Sequence, residues 1–426
     1  MTAVTAGRPG RRCPEPQKTA VLLRTAVRSS RGVGRLLLIS LWLPPALLVV
    51  FGLCMMLSIS FSLTDGPGRY ALLRDQAMAV GLGLVLLLVT SRIRHQLWRK
   101  LSLLAFFVVF LSLLAVHIPG VGLTKNGARS WVGLGDLTYQ PSEFAKLAVI
   151  LLGAHLLTSP RVAKARFSSY IWPFGVLGLG VCGLVLLEGD LGTAVIIAGL
   201  VLGLLWLGGM RLTHWLLVAG AGLAGFIVAV VTSEERMSRV FGFLHPFADP
   251  YGSTFQLVQS LVALGRGGLL GVGPGQSVQK FQYLPQAHTD MIYAIIGEEF
   301  GLVGTALIVL LFAVFAVGCW QLARRCREPM GRLIVAGCGM LVVSQAIINI
   351  GGVIGALPLT GVPLPFVSYG SNSLLVMMTA VGLVMAVART TPQGAVSSRL
   401  PRYENVTSLD RWRRHSGPRG ARASSR

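Results

Sequence analysis

The stretch QYLPQAHTDMIYAIIGEEFGLVGTALIVLLFAVFAVGCW, residues 282–320, decides how the chain is read. Residues 300–320 carry no charge and are long enough to cross a bilayer as a helix. Just before them stand His288, Asp290, Glu298 and Glu299, within twelve positions of a chain in which only 13% of the 426 residues are charged. Ionisable groups at membrane depth are costly unless they are paired or at work.

The rest of the chain repeats the apolar half of this pattern. It is 53% hydrophobic with a mean hydropathy of +0.68, which predicts an all-α, polytopic membrane protein and excludes a soluble multidomain one. Ten spans are predicted, at about 36–63, 71–91, 98–117, 143–158, 171–187, 193–209, 214–233, 290–320, 333–353 and 371–388. Of the 38 Lys and Arg residues, 29 fall in the tails and the inter-span segments of one side, so both termini are expected in the cytoplasm. The net charge of +22 is thus a topology signal, and no nucleic-acid partner is expected. Three parts follow: a basic disordered tail over 1–35, a membrane domain over 36–389 with a large outward loop at 234–289, and a second basic disordered tail over 390–426. The six cysteines show no CxxC and none lies in an outward loop, so neither a disulfide framework nor a structural zinc site is implied.

The large loop contains GRGGLLGVGPGQS, residues 265–277. A glycine run of this kind can cradle phosphate through backbone N–H groups, but no strand precedes it and no Gly-Lys-Ser/Thr ends it; a segment packed against helices is the plainer reading. Glu143 and Lys146, at i and i+3 after Pro141, can form an ion pair at the start of the fourth span. Asp290 suits a helix start, where the helix dipole favours a carboxylate. A cap does not account for Glu298 and Glu299 deeper in the same helix, and a working carboxylate and a structural network both remain open. The seven histidines form no HExxH, and no GxSxG elbow occurs, so zinc and serine hydrolase chemistry is not supported.

Four separated motifs carry a further reading: NGARSWVGLGDLTYQPSEFAKLA (126–148), GDLGTA (189–194), the segment from FLHPFADPYG to IIGEEFGLVG (243–304), and LPLTGVPLPFVSYGSNSLL (357–375). From about Leu36 to Arg389 the chain resembles the SEDS family of shape, elongation, division and sporulation proteins, and its GxGxGxSxQKxxYLPxAHTD-like segment is more FtsW-like than RodA-like. That resemblance implies a peptidoglycan glycosyltransferase of the bacterial cytoplasmic membrane, which polymerises lipid II at the outer face, most simply in cell division. It also implies a class B penicillin-binding protein as transpeptidase partner, beside other divisome or elongation proteins. On the matching positions it makes Asp290 catalytic and Glu143, Lys146, Arg129 and Trp131 substrate-binding. His288, Lys280 and Arg266 join the binding set by position, and Glu298, Ser368 and Tyr369 a supporting one. A carboxylate at 290 can act as general base on the acceptor sugar's hydroxyl, and cations can receive the leaving diphosphate. No cofactor is required, although a divalent cation, Mg2+ or Mn2+, can bridge a carboxylate and a diphosphate. Two departures stand out: Gly189 where the family usually has proline, and Ser371 where it usually has glycine. A lipid II flippase and a non-catalytic scaffold are the rival expectations.

Overall fold

The computed structural model describes residues 16–63, 70–125, 128–134, 137–159, 167–252, 254–281 and 283–391. Leu36–Thr391 form one compact unit. Thirteen α-helices occur among the described residues: α1 (Pro16–Leu63), α2 (Ala71–Arg92), α3 (His95–Val116), α4 (Pro141–Leu157), α5 (Phe167–Tyr170), α6 (Val176–Leu187), α7 (Leu191–Leu207), α8 (Leu212–Val231), α9 (Glu234–Leu244), α10 (Phe255–Gly267), α11 (Ile292–Arg325), α12 (Pro329–Val353) and α13 (Ser371–Thr390). Every predicted span coincides with one of these. Among the described residues seven, α1, α2, α3, α8, α11, α12 and α13, are long and apolar enough to cross a membrane unaided. The chain is a mostly helical, multi-pass membrane protein.

The other three predicted spans fall on shorter helices with visible causes. In α4 the charged pair Glu143 and Lys146 interrupts the apolar run, and α6 follows a π-helical segment, Ile171–Gly175, that contains a proline. Of these, α4 and α7 are mostly buried and lie at the centre. Fourteen of the 17 residues of α4 are buried, whereas α8 buries only Val218 and Val230. Hydrophobicity cannot separate two such helices, because lipid and protein are equally apolar neighbours; close backbone approach can. At Gly337 of α12 an added Cβ would lie 2.7 Å from Ile150 of α4, so this interface needs a residue without a side chain.

Three features add to the sequence reading. The first helix starts at Pro16, inside the interval expected as a tail; the interval from Gln17 to Trp42 holds no proline and is rich in Ala, Leu and Arg, good helix formers. The remainder, 1–15, and the tail from 392 lie outside the described residues. Second, the all-α description needs one addition, an antiparallel meander of β1 (Gly122–Lys125), β2 (Ala128–Leu134) and β3 (Leu137–Tyr139) between α3 and α4. Third, the large loop contains α9 and α10.

The glycine run after α10 is packed as a structural segment. Helix α11 is broken at Gly301, whose φ of 64° and ψ of −160° are open to glycine and strained for other residues. The break frees backbone groups that the loop then satisfies. Val272 N–H donates to Glu298 O at 2.9 Å and Gly273 N–H to Glu299 O at 3.1 Å, while Leu302 N–H reaches Gly268 O at 2.9 Å and Val303 N–H reaches Leu269 O at 3.2 Å. Here the plainer reading of the run holds. The five described cysteines are free.

Candidate active site

The site is built where α4 and α7 begin, α6 and α12 end, and the loops before α11 and α13 close over them. Asp290 is half-buried in the loop preceding α11. Its Oδ1 accepts the Thr289 hydroxyl at 2.6 Å, and its carbonyl accepts Asn349 Nδ2 of α12 at 2.8 Å. The same Asn349 nitrogen donates to Val362 O at 2.8 Å, tying the aspartate loop to residues 360–363. Gly361 stands beside Oδ2: a Cβ added there would lie 3.8 Å from that oxygen, in ordinary van der Waals contact. Upstream, Gln286 has a φ of 56° and accepts the N–H groups of Thr289 and Met291, which turns the chain towards the helix.

His288 is held from the other side. Tyr369 N–H donates to His288 O at 2.9 Å, and the two rings meet edge to face at 5.6 Å. Ser368 Oγ accepts Leu364 N–H at 2.7 Å, and Gln76 Nε2 donates to Ser368 O at 3.1 Å. Ser368 and Tyr369 thus support the loop that carries Asp290. Burial raises the Asp290 carboxyl above its ordinary value, against the opposing pull of the Thr289 hydroxyl, His288 and Arg239. Burial lowers His288, so its imidazole is neutral at physiological pH.

The second half of the site is an ion pair buried in α4. Lys146, fully buried, donates from Nζ to Glu143 Oε1 at 2.7 Å and to Gln345 Oε1 at 2.9 Å. Gln345 in turn donates to Pro363 O and Ser373 Oγ, both at 3.0 Å. Loop 360–363 therefore contacts both halves: Asn349 links it to Asp290, and Gln345 links it to Lys146. Asp190 caps α7 by accepting Thr193 N–H at 2.9 Å. An added Cβ at Gly192, two residues on, would collide with Val362, so this turn also presses on the shared loop.

Other expected binding residues are placed differently. Lys280 is buried, and its Nζ donates to Glu299 Oε1 at 2.9 Å, Ser58 Oγ at 3.0 Å and Gly275 O at 2.7 Å. Arg266 lies 3.6 Å from Glu298. Glu298 also accepts the Ser277 hydroxyl and the N–H groups of Val278 and Gln279. Lys280 and Arg266, grouped from sequence with the substrate cations, fasten the glycine-rich loop to α11, Lys280 through Glu299 and Arg266 through Glu298. Arg129 donates to Ile118 O at 2.6 Å at the end of α3, and Trp131 follows two residues along the same strand. Sequence reasoning missed Glu188, Asp190, Gln345 and Asn349, although each is a polar residue in or beside an apolar run. Among the described residues no group of three or more His, Cys, Asp and Glu is spaced to hold a metal ion.

A multi-pass helical protein in which one loop joins a half-buried carboxylate to a buried lysine–glutamate pair defines the class. The chain belongs to the cell cycle protein family FtsW/RodA/SpoVE, whose model matches residues 38–393. It is 37% identical over 345 residues to stage V sporulation protein E of Bacillus subtilis, covering 80% of this chain and 94% of that one. It is 40% identical over 352 residues to the probable peptidoglycan glycosyltransferase FtsW of Thioalkalivibrio sulfidiphilus, covering 81% and 87%. Among solved structures it resembles a chain of a peptidoglycan synthase complex that coordinates polymerization and crosslinking, with a TM-score of 0.65, 31% identity and coverage of 80% and 97%. The rod shape determining protein RodA of Thermus thermophilus gives a TM-score of 0.62 at 27% identity, covering 83% and 97%.

Proposed function

We propose that this protein is a peptidoglycan glycosyltransferase that polymerises lipid II at the outer face of the bacterial cytoplasmic membrane, with both termini in the cytoplasm. The observation that carries it is the single connected network joining a half-buried Asp290, whose carboxyl burial pushes upward, to a buried Lys146. Family membership supports the activity, and the relatives named FtsW support a division-type role.

The acceptor sugar's 4-hydroxyl must lose its proton as its oxygen attacks the anomeric carbon of the lipid-linked donor. Asp290 takes that proton through Oδ2, the oxygen that the Thr289 hydroxyl does not use, while Thr289 and Asn349 keep the carboxylate in place. A raised carboxyl value makes it a stronger base than an exposed aspartate. The new β-1,4 bond forms as the α-linked C–O bond to the diphosphate breaks, and the electron pair leaves on the diphosphate. Lys146 supplies positive potential for that charge, with Glu143 and Gln345 holding its ammonium still. Arg129 and Trp131, on the meander, stand as further contacts for the substrate.

Against a flippase, the buried ionisable groups outside closed ion pairs gather at one end of the helices and do not line a path along them. A class B penicillin-binding protein is the proposed transpeptidase partner, in keeping with the complex to which the fold is similar. The test is purified protein in membranes with fluorescent lipid II, with and without such a partner, and resolution of the glycan products. Chains formed by the wild type and absent with folded Asp290→Asn support the reading; chains formed equally by both remove the general base.

A further inference from the structure

Between α6 and α7 the chain reads Glu188-Gly189-Asp190, and this turn faces the first turn of α4. Glu188 is 3% exposed, and neither of its carboxyl oxygens has a hydrogen-bond partner among the described residues. The Ser142 hydroxyl stands beside it without closing a hydrogen bond and is likewise unpartnered, as is Oε2 of Glu143, the oxygen that Lys146 does not use. Buried polar atoms in a native protein are almost always satisfied. Four unsatisfied oxygens on two facing turns, none of them exposed, mark a place where something else completes the bonding.

We infer that Glu188, with Ser142 and Oε2 of Glu143, forms a subsite that binds the hydroxyl and amide N–H donors of a sugar in the substrate. The inference rests on the proposed glycosyltransferase reading and adds a binding residue to its site. These four oxygens carry two protons, on the Ser142 hydroxyl and the Glu188 carboxyl, so they accept more hydrogen bonds than they donate and suit a partner rich in O–H and N–H groups, such as an acetamido sugar. Contact with the Asp290 end of the site runs through the turn itself, since Gly192 packs on Val362 and Gly361 looks onto Asp290.

The charged groups near this turn are Asp190 on the turn itself, Glu143 and Lys146 on α4, which act on Asp190, and Arg236 of α9, which donates to Leu186 O at 2.9 Å. Burial, with the neighbouring Asp190 carboxylate, pushes the Glu188 carboxyl up to about 8. It is therefore neutral at physiological pH and becomes an anion beside two other carboxylates as the pH rises through that value.

The test measures lipid II polymerisation and lipid II binding by full-length protein in proteoliposomes, from pH 6 to 9, for wild type, Glu188→Gln and Glu188→Leu. The glutamine variant keeps the neutral shape, so its KM is expected within about threefold of wild type at pH 7, with the alkaline rise in KM abolished. The leucine variant is expected to raise KM and weaken binding at least tenfold while kcat stays within about threefold, the pattern of lost binding shared by ground and transition states. An unaltered KM in folded Glu188→Leu overturns the proposal. Should that variant fail to fold, an alkaline limb that persists unchanged in Glu188→Gln overturns it instead. If wild type binds lipid II but makes no glycan, the polymerase reading fails, and the binding comparison still decides the subsite.

Discussion

Two carboxylate networks are buried in this molecule, and they are finished to different degrees. In the lower one, Glu298 and Glu299 are matched by Arg266, Lys280, Ser58, Ser277 and two backbone N–H groups, and all three donors of the Lys280 ammonium are used. In the other, Lys146 holds one oxygen of Glu143 while the second oxygen, both of Glu188 and Oδ1 of Asn349 go without partners among the described residues. A closed network has its bonding satisfied by the fold and fastens a loop. An open one keeps bonding capacity for a substrate, at a cost that evolution tolerates at working sites.

Substitutions can break or sharpen this contrast. Asp290→Asn should lower polymerisation by at least about 100-fold, the range for loss of a general base, with an unchanged unfolding midpoint. In the closed network the effect should move to stability. Lys280→Met leaves Glu299 as an unpaired buried charge and should cost about 3–5 kcal/mol, seen in thermal unfolding, while the folded fraction keeps its turnover per molecule. Loss of turnover in that fraction would join the two networks into one.

Gly189 tests the turn between the networks' neighbours. It has a φ of 89°, whereas proline is locked near about −65°. Gly189→Pro, which restores the residue usual in the family, should therefore destabilise this chain by about 1–3 kcal/mol and raise KM by loosening the turn that carries Glu188 and Asp190. The departure from the family pattern is matched by a backbone that proline cannot adopt. Arg266→Ala should do least: its side chain is 46% exposed and 3.6 Å from Glu298, so a loss within about 1 kcal/mol and normal activity are expected.

The pH dependence separates the open network further. Because burial raises Asp290, kcat/KM should fall on the acid side with a midpoint above the ordinary carboxylate range, as the base takes up its proton. Glu188 works in the opposite sense. Its folded value lies above its unfolded one, so the folded protein binds more protons and stability should decline as pH rises from about 4.5 to about 8. Comparing the unfolding midpoint of wild type with Glu188→Gln across that window isolates the contribution.

Much of this was legible in residue order. Each predicted span coincides with a helix, because apolar runs of that length report directly on burial in a bilayer or a bundle. The ion pair of Glu143 and Lys146 was readable from an i, i+3 spacing. The meander was signalled too, by Asn126-Gly127 between residues of alternating character, a two-residue hairpin signal that the search for spans passed over. What spacing could not decide was partnership. Lys280 and Arg266 are as basic as Lys146 and lie nearer to Asp290 in the chain, yet they serve the closed network. Glu188 drew no notice because its meaning lies in what does not bond to it. Composition and order by themselves determined a membrane-embedded bundle with a few ionisable groups too costly to be idle, since the cost of burying charge depends on residue type. Only the tertiary structure decided which of those groups satisfy one another and which are left open, because that depends on distances between side chains hundreds of positions apart.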